Sequence, residues 1–302
     1  MLFATDLDGT LLKPQKPIGV LEGHNRDFLM NLNRKGWSVA LVSGRNANLR
    51  EPLQRNLGFP VIFVGCNGGF TLDEDGNLIR KVALSRDLLL QIYATMVDRY
   101  GISAWAAMDE TVFNYFDIHD LSRALLNIVR LGNFFSFSLK EKYSLKRDEF
   151  LHRLTEGGVC KLMAVTGLGK KKIAQAQEAY VVIRDLIGDR CSVTISSFSI
   201  EMTAKEAKKG LALEELCSKR GIDRDDVYVV GDSGNDISMF DTFPHSFCMR
   251  RAAPWIRAHA AHTVDRVSDI AEYLKHPENL DKDLETFEER RKMPLGPTEV
   301  KN

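Results

Sequence analysis

Short apolar segments alternate with longer amphipathic segments near both ends of this 302-residue chain. The apolar stretch Leu2–Asp6 is followed by a helical pattern that ends near Gly36, and Trp37–Val42 then indicates a buried strand. The same pattern returns towards the C-terminus, where a helix begins after Gly210 and the apolar stretch Val227–Val230 follows it. Such alternation is typical of a parallel sheet covered by crossover helices. We therefore predict an α/β fold with a parallel-sheet core.

The middle of the chain interrupts this alternation. Val61–Val64 indicates a third strand and Thr71–Ile79 a hairpin. Strand and helix patterns then follow one another in mixed order: Asp87–Tyr100 (helix), Phe134–Leu139, Lys161–Val165 and Cys191–Ile195 (strands). A mixed order is typical of a separate α+β unit. We predict three parts: a discontinuous core at 1–83 and 205–275, an inserted α/β domain at 84–204, and a solvated tail at 276–302.

Charge and cysteine content restrict the partners and the compartment. Basic and acidic side chains number 41 each, so no net charge favours binding to nucleic acid or anionic lipid. The five cysteines are scattered without a C-x-x-C pair, which indicates free thiols in a reducing compartment rather than a zinc site. The sequence also contains neither a signal-peptide pattern nor an apolar run of the roughly 20 residues that a membrane span needs. We expect a cytoplasmic protein with a small-molecule partner.

Acidic or hydroxyl side chains follow three of the predicted strands at the point where each strand ends. Asp6 and Asp8 close the first strand, Ser43 follows the second, and Asp232 follows Val227–Val230. Open α/β sheets bind their ligands at the carboxyl ends of their strands, so we expect these side chains to lie close together. One of the two acids, Asp6 or Asp8, can act as a nucleophile while the other donates and accepts protons. This is known chemistry for phosphoryl transfer, and it requires a divalent cation.

A second pair of acids could supply the ligands for that cation. Asp232 and Asp236 stand four residues apart across a predicted strand-to-helix turn. Carboxylate oxygens suit Mg²⁺, which prefers octahedral oxygen coordination. Acids at a helix start can simply cap it. Capping accounts for one acid, however, and not for four when Asp6 and Asp8 are included, so we predict a Mg²⁺ site.

Two further segments carry groups that suit a phosphate. Ser43 and Gly44 offer a hydroxyl and free backbone N–H groups at a predicted helix N-terminus. Taken alone, this segment would be a plain helix cap. Lys208 or Lys209, just before Gly210, could neutralise a transferred phosphoryl group, although a lysine pair by itself usually lies on a solvated face.

Taken together, four segments resemble the four motifs of the haloacid dehalogenase (HAD) superfamily in order and separation: Asp6–Leu12, Val42–Arg45, Lys209–Leu213 and Gly231–Asp236. The long insert between the second and third motifs, preceded by Cys66–Gly69, is similar to that of the Cof-type branch, subfamily IIB. That branch has a Rossmann-like core and an α/β cap, and it includes sugar-phosphate and sucrose-phosphate phosphatases. The resemblance implies that the cap at 84–204 selects the substrate.

The resemblance also implies a role for each site residue. Asp6 would be the nucleophile that becomes an aspartyl-phosphate, and Asp8 the general acid that then activates water. The groups that hold the phosphate would be Ser43, Gly44, Lys209 and Asn235. The Mg²⁺ ligands would be Asp6, the backbone carbonyl of Asp8, Asp232 and Asp236.

This set implies a Mg²⁺-dependent phosphatase, a phosphoric monoester hydrolase, that acts on a small phosphorylated metabolite, with sugar phosphates as the first choice. A phosphomutase of the same fold and a non-catalytic binding or regulatory module are the alternatives. The complete set of catalytic groups argues against the second alternative.

One segment departs from the family pattern. Where Cof-type members commonly have Met-Gly-Asn-Ala, this chain has Met249-Arg250-Arg251-Ala252. This chain therefore lacks the asparagine that makes a contact at this position in Cof-type members. We hypothesise that Arg250 and Arg251 bind a second anionic group of the substrate, since guanidinium groups suit phosphate and carboxylate. The alternative is that both side chains lie on a solvated face of the protein.

Overall fold

A computed structural model describes residues 1–12, 21–102, 104–111, 115–118, 142–144, 147–165, 170–195 and 199–275. The predicted tail at 276–302 and the predicted strand Phe134–Leu139 lie outside them. The strands within them are β1 (Leu2–Asp6), β2 (Ser38–Val42), β3 (Ile62–Gly65), β4 (Phe70–Leu72), β5 (Leu78–Lys81), β6 (Ala104–Met108), β7 (Tyr115–Ile118), β8 (Lys142–Ser144), β9 (Lys161–Val165), β10 (Cys191–Ile195), β11 (Ser199–Ala204), β12 (Val227–Gly231), β13 (His245–Met249) and β14 (His262–Val264). The α-helices are α1 (Gly23–Arg34), α2 (Arg50–Leu57), α3 (Arg86–Tyr100), α4 (Arg147–Glu156), α5 (Lys170–Ile187), α6 (Lys209–Arg220), α7 (Ile237–Thr242), α8 (Pro254–Arg257) and α9 (Ile270–Lys275).

The larger of two sheets has eight strands in the order β14-β13-β12-β1-β2-β3-β4-β5. Neighbouring strands from β14 to β3 are parallel, whereas β4 and β5 form an antiparallel hairpin on β3. The turn of the hairpin is closed by Asp73, whose carboxylate accepts hydrogen bonds from the N–H groups of Asp75 and Asn77. Both the predicted α/β class and the predicted hairpin are confirmed.

Strand β1 lies at the centre of this sheet and is buried along its whole length. Successive side chains point to opposite faces, so each face of β1 packs in a different apolar layer. On one face Phe3 meets Phe28 of α1 edge to face, with ring centroids 5.3 Å apart. On the other face Leu2 belongs to the cluster that contains Leu213 of α6. Helices on both faces leave the ends of the strands as the place where polar side chains can gather.

The smaller sheet has six strands in the order β10-β11-β9-β6-β7-β8. A buried cluster joins it to α3, α4 and α5, with Trp105, Phe150 and Ile183 among its members. The chain leaves the larger sheet after β5 and returns to it through α6 after β11. The domain limits at residues 84 and 204 stay a prediction. No helix among the described residues is long and apolar enough to cross a membrane.

Candidate active site

The carboxyl ends of three neighbouring parallel strands bring most of the predicted site residues to one edge of the larger sheet. Strand β1 lies between β12 and β2, with Thr5 opposite Val230 and Asp6 opposite Val42. Asp6 therefore ends its strand beside the segment that carries Ser43 and the turn that carries Asp232. The topology explains how residues more than 200 positions apart in the sequence come together.

A buried lysine lies between two buried carboxylates at this edge. Lys209 Nζ donates to Asp6 Oδ1 and to Asp236 Oδ1, each at 2.6 Å. Lys209 and Asp236 are fully buried, and Asp6 is 4% exposed. Charges are rarely buried unless they are paired, and here one ammonium serves two acids. Lys209 lies at the first position of α6, so the packing of that helix fixes where the ammonium stands.

The two oxygens of Asp236 have different partners. Oδ2 accepts hydrogen bonds from the backbone N–H groups of Asp232 and Ser233, each at 2.9 Å, and so caps the 3₁₀ turn Gly234–Asp236. Oδ1 faces Lys209. The capping role considered from the sequence is therefore present, but it occupies one oxygen only. The other oxygen belongs to the buried charge cluster.

Asp6, Asp232 and Asp236 each place one carboxylate oxygen within 4.8 Å of the other two. The second oxygen of Asp6, Oδ2, is buried and forms no hydrogen bond with any described residue. Three carboxylates at this spacing, with Oδ2 of Asp6 buried and without a donor among the described residues, fit a hard divalent cation such as Mg²⁺. Three of the four predicted ligand residues are thus in one cluster.

The ionisation of this cluster depends on burial and on the neighbouring charges. Burial and the nearby Asp236 raise the pKa of Asp6 from 3.8 to about 8, and Lys209 only partly opposes this. Burial, followed by repulsion from Asp236, also raises the pKa of Asp232. Burial opposes the charge of Lys209, but Asp236 and Asp6 raise its pKa above the ordinary value. One lysine does not fully balance three acids, so a bound cation would favour their ionised forms.

Asp8 lies outside the three-carboxylate cluster and is half exposed. Its carboxylate accepts two hydrogen bonds from Arg45, from Nε to Oδ2 at 2.6 Å and from Nη2 to Oδ1 at 2.8 Å. The next residue, Gly9, has φ +89°, a left-handed conformation that favours glycine. A Cβ at Gly9 would lie 2.2 Å from Asp232 Oδ2, so a side chain here would displace the Asp232 carboxylate.

Ser43, Gly44 and Asn235 lie in adjoining loops. Ser43 is fully buried, and its Oγ accepts a hydrogen bond from the backbone N–H of Arg45 at 3.1 Å. Asn235 donates to Asn67 Oδ1 at 3.0 Å, and the backbone N–H of Asn67 donates to the carbonyl of Ser43 at 2.9 Å. Asn67 thus connects the second and fourth motif segments.

Several residues of this region were not selected as site residues from the sequence. Arg45 and Asn67 lie in quoted motifs, and the tolerance of asparagine for positive φ, here +59°, was the available signal for Asn67. Thr10 donates to Asp232 Oδ1 at 3.3 Å.

The two arginines of the departing segment are both exposed. Arg250 forms an exposed ion pair with Asp265, and Arg251 is exposed. Binding of a second anion by these two arginines stays a prediction.

The sequence matches the family model for haloacid dehalogenase-like hydrolases over residues 3–274. The chain belongs to this HAD family. One HAD relative, the 5-amino-6-(5-phospho-D-ribitylamino)uracil phosphatase YwtE of Bacillus subtilis, is 25% identical over 83% of this chain and 87% of its own length. The Escherichia coli phosphatase YbjI, named for the same substrate, is 26% identical over 86% of this chain and 88% of its own length.

Solved HAD structures have the same fold. A haloacid dehalogenase-like hydrolase from Bacteroides thetaiotaomicron superposes with a TM-score of 0.74 at 20% identity, over 90% of this chain and 98% of its own. A sugar phosphatase of HAD subclass IIB superposes with a TM-score of 0.70 at 18% identity, over 91% and 98% of the two chains. The predicted membership in the HAD superfamily and its Cof-type branch is confirmed, and the chain is a hydrolase. The names of the relatives agree with the predicted class of phosphoric monoester hydrolase.

Proposed function

We propose that this chain is a Mg²⁺-dependent phosphatase that hydrolyses a small phosphorylated metabolite through an aspartyl-phosphate on Asp6. One observation carries the proposal. Asp6 is buried at the edge of the sheet beside the carboxylates of Asp232 and Asp236. One of its oxygens accepts from Lys209, and the other has no hydrogen-bond donor among the residues that the structure describes. A structural role does not require three acids at one buried point, whereas a cation-assisted nucleophile does.

Mg²⁺, held by Asp6, the backbone carbonyl of Asp8, Asp232 and Asp236, would reduce the repulsion between the Asp6 carboxylate and the phosphate dianion. Asp6 attacks the phosphorus, and the bond from phosphorus to the substrate oxygen breaks while Asp8 donates a proton to that oxygen. Asp8 then takes a proton from water as the water attacks the phosphorus. The bond between phosphorus and Asp6 breaks, and inorganic phosphate leaves.

Other residues of the site would hold the phosphoryl group during both steps. Lys209 carries a positive charge at Asp6, where the charge of the transferred group develops. Ser43 uses Oγ as an acceptor for the backbone of Arg45, which leaves its hydroxyl proton for a phosphate oxygen. Gly44 would offer its backbone N–H, and Asn235 would orient the phosphate or the acids.

We infer that the substrate belongs to the sugar or polyol phosphates. The named substrate of the two relatives, 5-amino-6-(5-phospho-D-ribitylamino)uracil, carries its phosphate on a ribityl chain, and one structural neighbour is named a sugar phosphatase. Five free, buried cysteines suit a reducing compartment, so we place the protein in the cytoplasm.

Phosphate release from a panel of sugar, polyol, glycerate and nucleotide phosphates tests the proposal. The native protein, Asp6→Asn and the matched surface variant Asp27→Asn are each assayed with Mg²⁺ and with a chelator. We expect release that requires Mg²⁺, that is lost in Asp6→Asn and that is unchanged in Asp27→Asn. Transfer of labelled phosphate back to substrate would instead indicate a phosphomutase. Binding of Mg²⁺ without release from any compound would favour a binding module.

A further inference from the structure

The two faces of the smaller sheet differ in chemistry where it contains β10 and β11. Ser192 pairs with Thr203 and Thr194 with Glu201 across these antiparallel strands. Because side chains alternate along a strand, these four residues share one face. The alternate positions of the two strands, Cys191, Ile200 and Met202 among them, belong to the apolar cluster that packs against α3, α4 and α5. In β10 and β11, the face opposite this apolar cluster is thus hydroxyl-rich and carries the carboxylate of Glu201.

This polar face forms one wall of a cavity of about 360 Å³. The opposite wall consists of core residues that include Asn67, Lys208, Asn235 and Ser238. Asn67 and Asn235 are hydrogen-bonded to each other, and Asn67 is also bonded to Ser43. The cavity therefore adjoins the segment to which the phosphate site is assigned, and it can hold the rest of a small substrate.

Lys161 connects the polar face to the phosphate segment. Its ammonium lies 2.5 Å from Glu201 Oε2 and donates to the carbonyl of Gly44 at 3.3 Å. Lys161 is 5% exposed and lies directly opposite Thr203 in the pairing of β9 with β11. A buried ammonium with these two partners holds the Glu201 carboxylate at a fixed distance from Gly44. Glu201 itself keeps further acceptor sites, because a carboxylate can accept about four hydrogen bonds.

We propose that Glu201 is a specificity-determining residue that accepts hydrogen bonds from hydroxyl groups of the substrate's leaving group. Thr194 and Thr203, its neighbours on the same face, complete a surface for a neutral, polyhydroxylated chain or ring. A carboxylate accepts hydrogen bonds from hydroxyl groups, so this surface favours a phosphate ester with a polyhydroxylated leaving group over one whose leaving group lacks hydroxyls. The inference rests on the proposed phosphatase function, and it names the substrate class of the same site.

The test compares a hydroxylated substrate with one that lacks hydroxyls. The kcat/KM values of native protein, Glu201→Gln and the matched exposed variant Glu178→Gln are measured with ribitol 5-phosphate, glucose 6-phosphate and p-nitrophenyl phosphate. Gln keeps the shape and an acceptor for Lys161, so we expect Glu201→Gln to fold. For Glu201→Gln we expect a loss of about tenfold or more with the better hydroxylated substrate, mainly in KM, and less than about twofold with p-nitrophenyl phosphate. Glu178→Gln should match the native protein.

An equal loss on both kinds of substrate would overturn the inference, because Glu201 would then act on the phosphate end through Lys161 and Gly44. Unchanged kcat/KM values of Glu201→Gln on all three substrates would overturn it as well. If the native protein hydrolyses none of the three compounds, the phosphatase proposal is in question, and calorimetric binding of ribitol and glucose still decides the role of Glu201. Weaker binding to Glu201→Gln than to the native protein supports that role, and equal binding or no binding to both contradicts it.

Discussion

Arg45 holds Asp8 through both carboxylate oxygens, with its Nε 2.6 Å from Oδ2 and its Nη2 2.8 Å from Oδ1. The pair joins the loop after β1 to the loop after β2, and both partners are partly exposed. A planar guanidinium fixes the plane of a carboxylate in a way that a single ammonium does not. Arg45 therefore fixes the carboxylate plane of Asp8, the proposed general acid.

Replacing the guanidinium of Arg45 with an ammonium tests whether this contact orients Asp8. In Arg45→Lys the positive charge remains but the two-pronged geometry is lost, so we expect kcat to fall by about tenfold. Steady-state kinetics with the best panel substrate measure the effect. Arg26→Lys, a change at an exposed ion pair with Asp27, serves as the control and should leave kcat unchanged. An unchanged kcat in Arg45→Lys would mean that the pair does not orient Asp8 for the reaction.

Removal of the buried ammonium should affect stability as well as activity. Lys209→Met leaves Asp6 and Asp236 without their shared cation, so we expect the metal-free protein to lose about 3–5 kcal/mol of unfolding free energy. We also expect kcat to fall by about a hundredfold or more. Lys208→Met is the neighbouring control, because Lys208 is exposed, and it should change stability by less than about 0.5 kcal/mol.

Mg²⁺ provides a second readout for Lys209→Met. A divalent cation at the three carboxylates would replace part of the missing charge, so added Mg²⁺ should raise the melting temperature of Lys209→Met more than that of the native protein. Equal stability of Lys208→Met and Lys209→Met in a chelator would contradict the role assigned to the buried ammonium.

The raised pKa of Asp6 predicts a change of stability with pH. Its pKa rises from 3.8 to about 8 on folding, so between these values the folded protein retains a proton that the unfolded chain releases. Asp6 therefore contributes stability that is fully present below about pH 4 and is lost as the pH approaches 8, at no more than about 1.4 kcal/mol per pH unit. For the metal-free protein, the advantage of Asp6→Asn over the native chain should grow from pH 5 to pH 8.

Denaturant titrations of the native chain, Asp6→Asn and Asp27→Asn across this pH range measure the effect. Asp27 is 69% exposed, so the difference between Asp27→Asn and the native chain should stay flat. A difference between Asp6→Asn and the native chain that does not vary with pH would mean that Asp6 ionises as freely in the folded chain as in the unfolded one.

Gly9 makes the close approach of the first and fourth motif segments possible. A Cβ there would lie 2.2 Å from Asp232 Oδ2, whereas at Gly36, which also has a positive φ, a Cβ meets no atom within 4 Å. Both alanine variants incur the backbone cost, but only Gly9→Ala displaces a proposed metal ligand. We expect Gly9→Ala to be less stable than Gly36→Ala by about 1–2 kcal/mol and to bind Mg²⁺ more weakly. Thermal unfolding and Mg²⁺ titration check this, and equal behaviour of the two variants would disprove the clash.

The sequence predicted the core well because local periodicity determines it. Strand β1 was predicted with the bounds that the structure has, as were β9 and β10 in the smaller sheet. The apolar runs of β1 and β12 are buried on both faces, which is what makes such strands recognisable. The clustering of Asp6, Asp232 and Asp236 follows from the same topology, since parallel strands end at one edge.

Contacts that depend on register or on side-chain direction could not be predicted in this way. Strand β11 was not predicted, although Ser-Ile-Glu-Met-Thr alternates polar and apolar residues and was a usable signal. The meeting of Lys161 with Glu201 depends on the register of β9 and β11, which no local pattern determines. The two-pronged contact of Arg45 with Asp8 depends on how two loops approach each other.

A single-turnover experiment tests the central claim most directly. Excess protein is mixed with Mg²⁺ and a substrate that carries labelled phosphate, the reaction is stopped with acid after milliseconds, and the label on the protein is mapped. Asp8→Asn is included because loss of the group that activates water should prolong the intermediate. We predict label on Asp6 in the native protein, more in Asp8→Asn, and none in Asp6→Asn. Release of labelled phosphate with no label on Asp6 in either protein would contradict an aspartyl-phosphate mechanism.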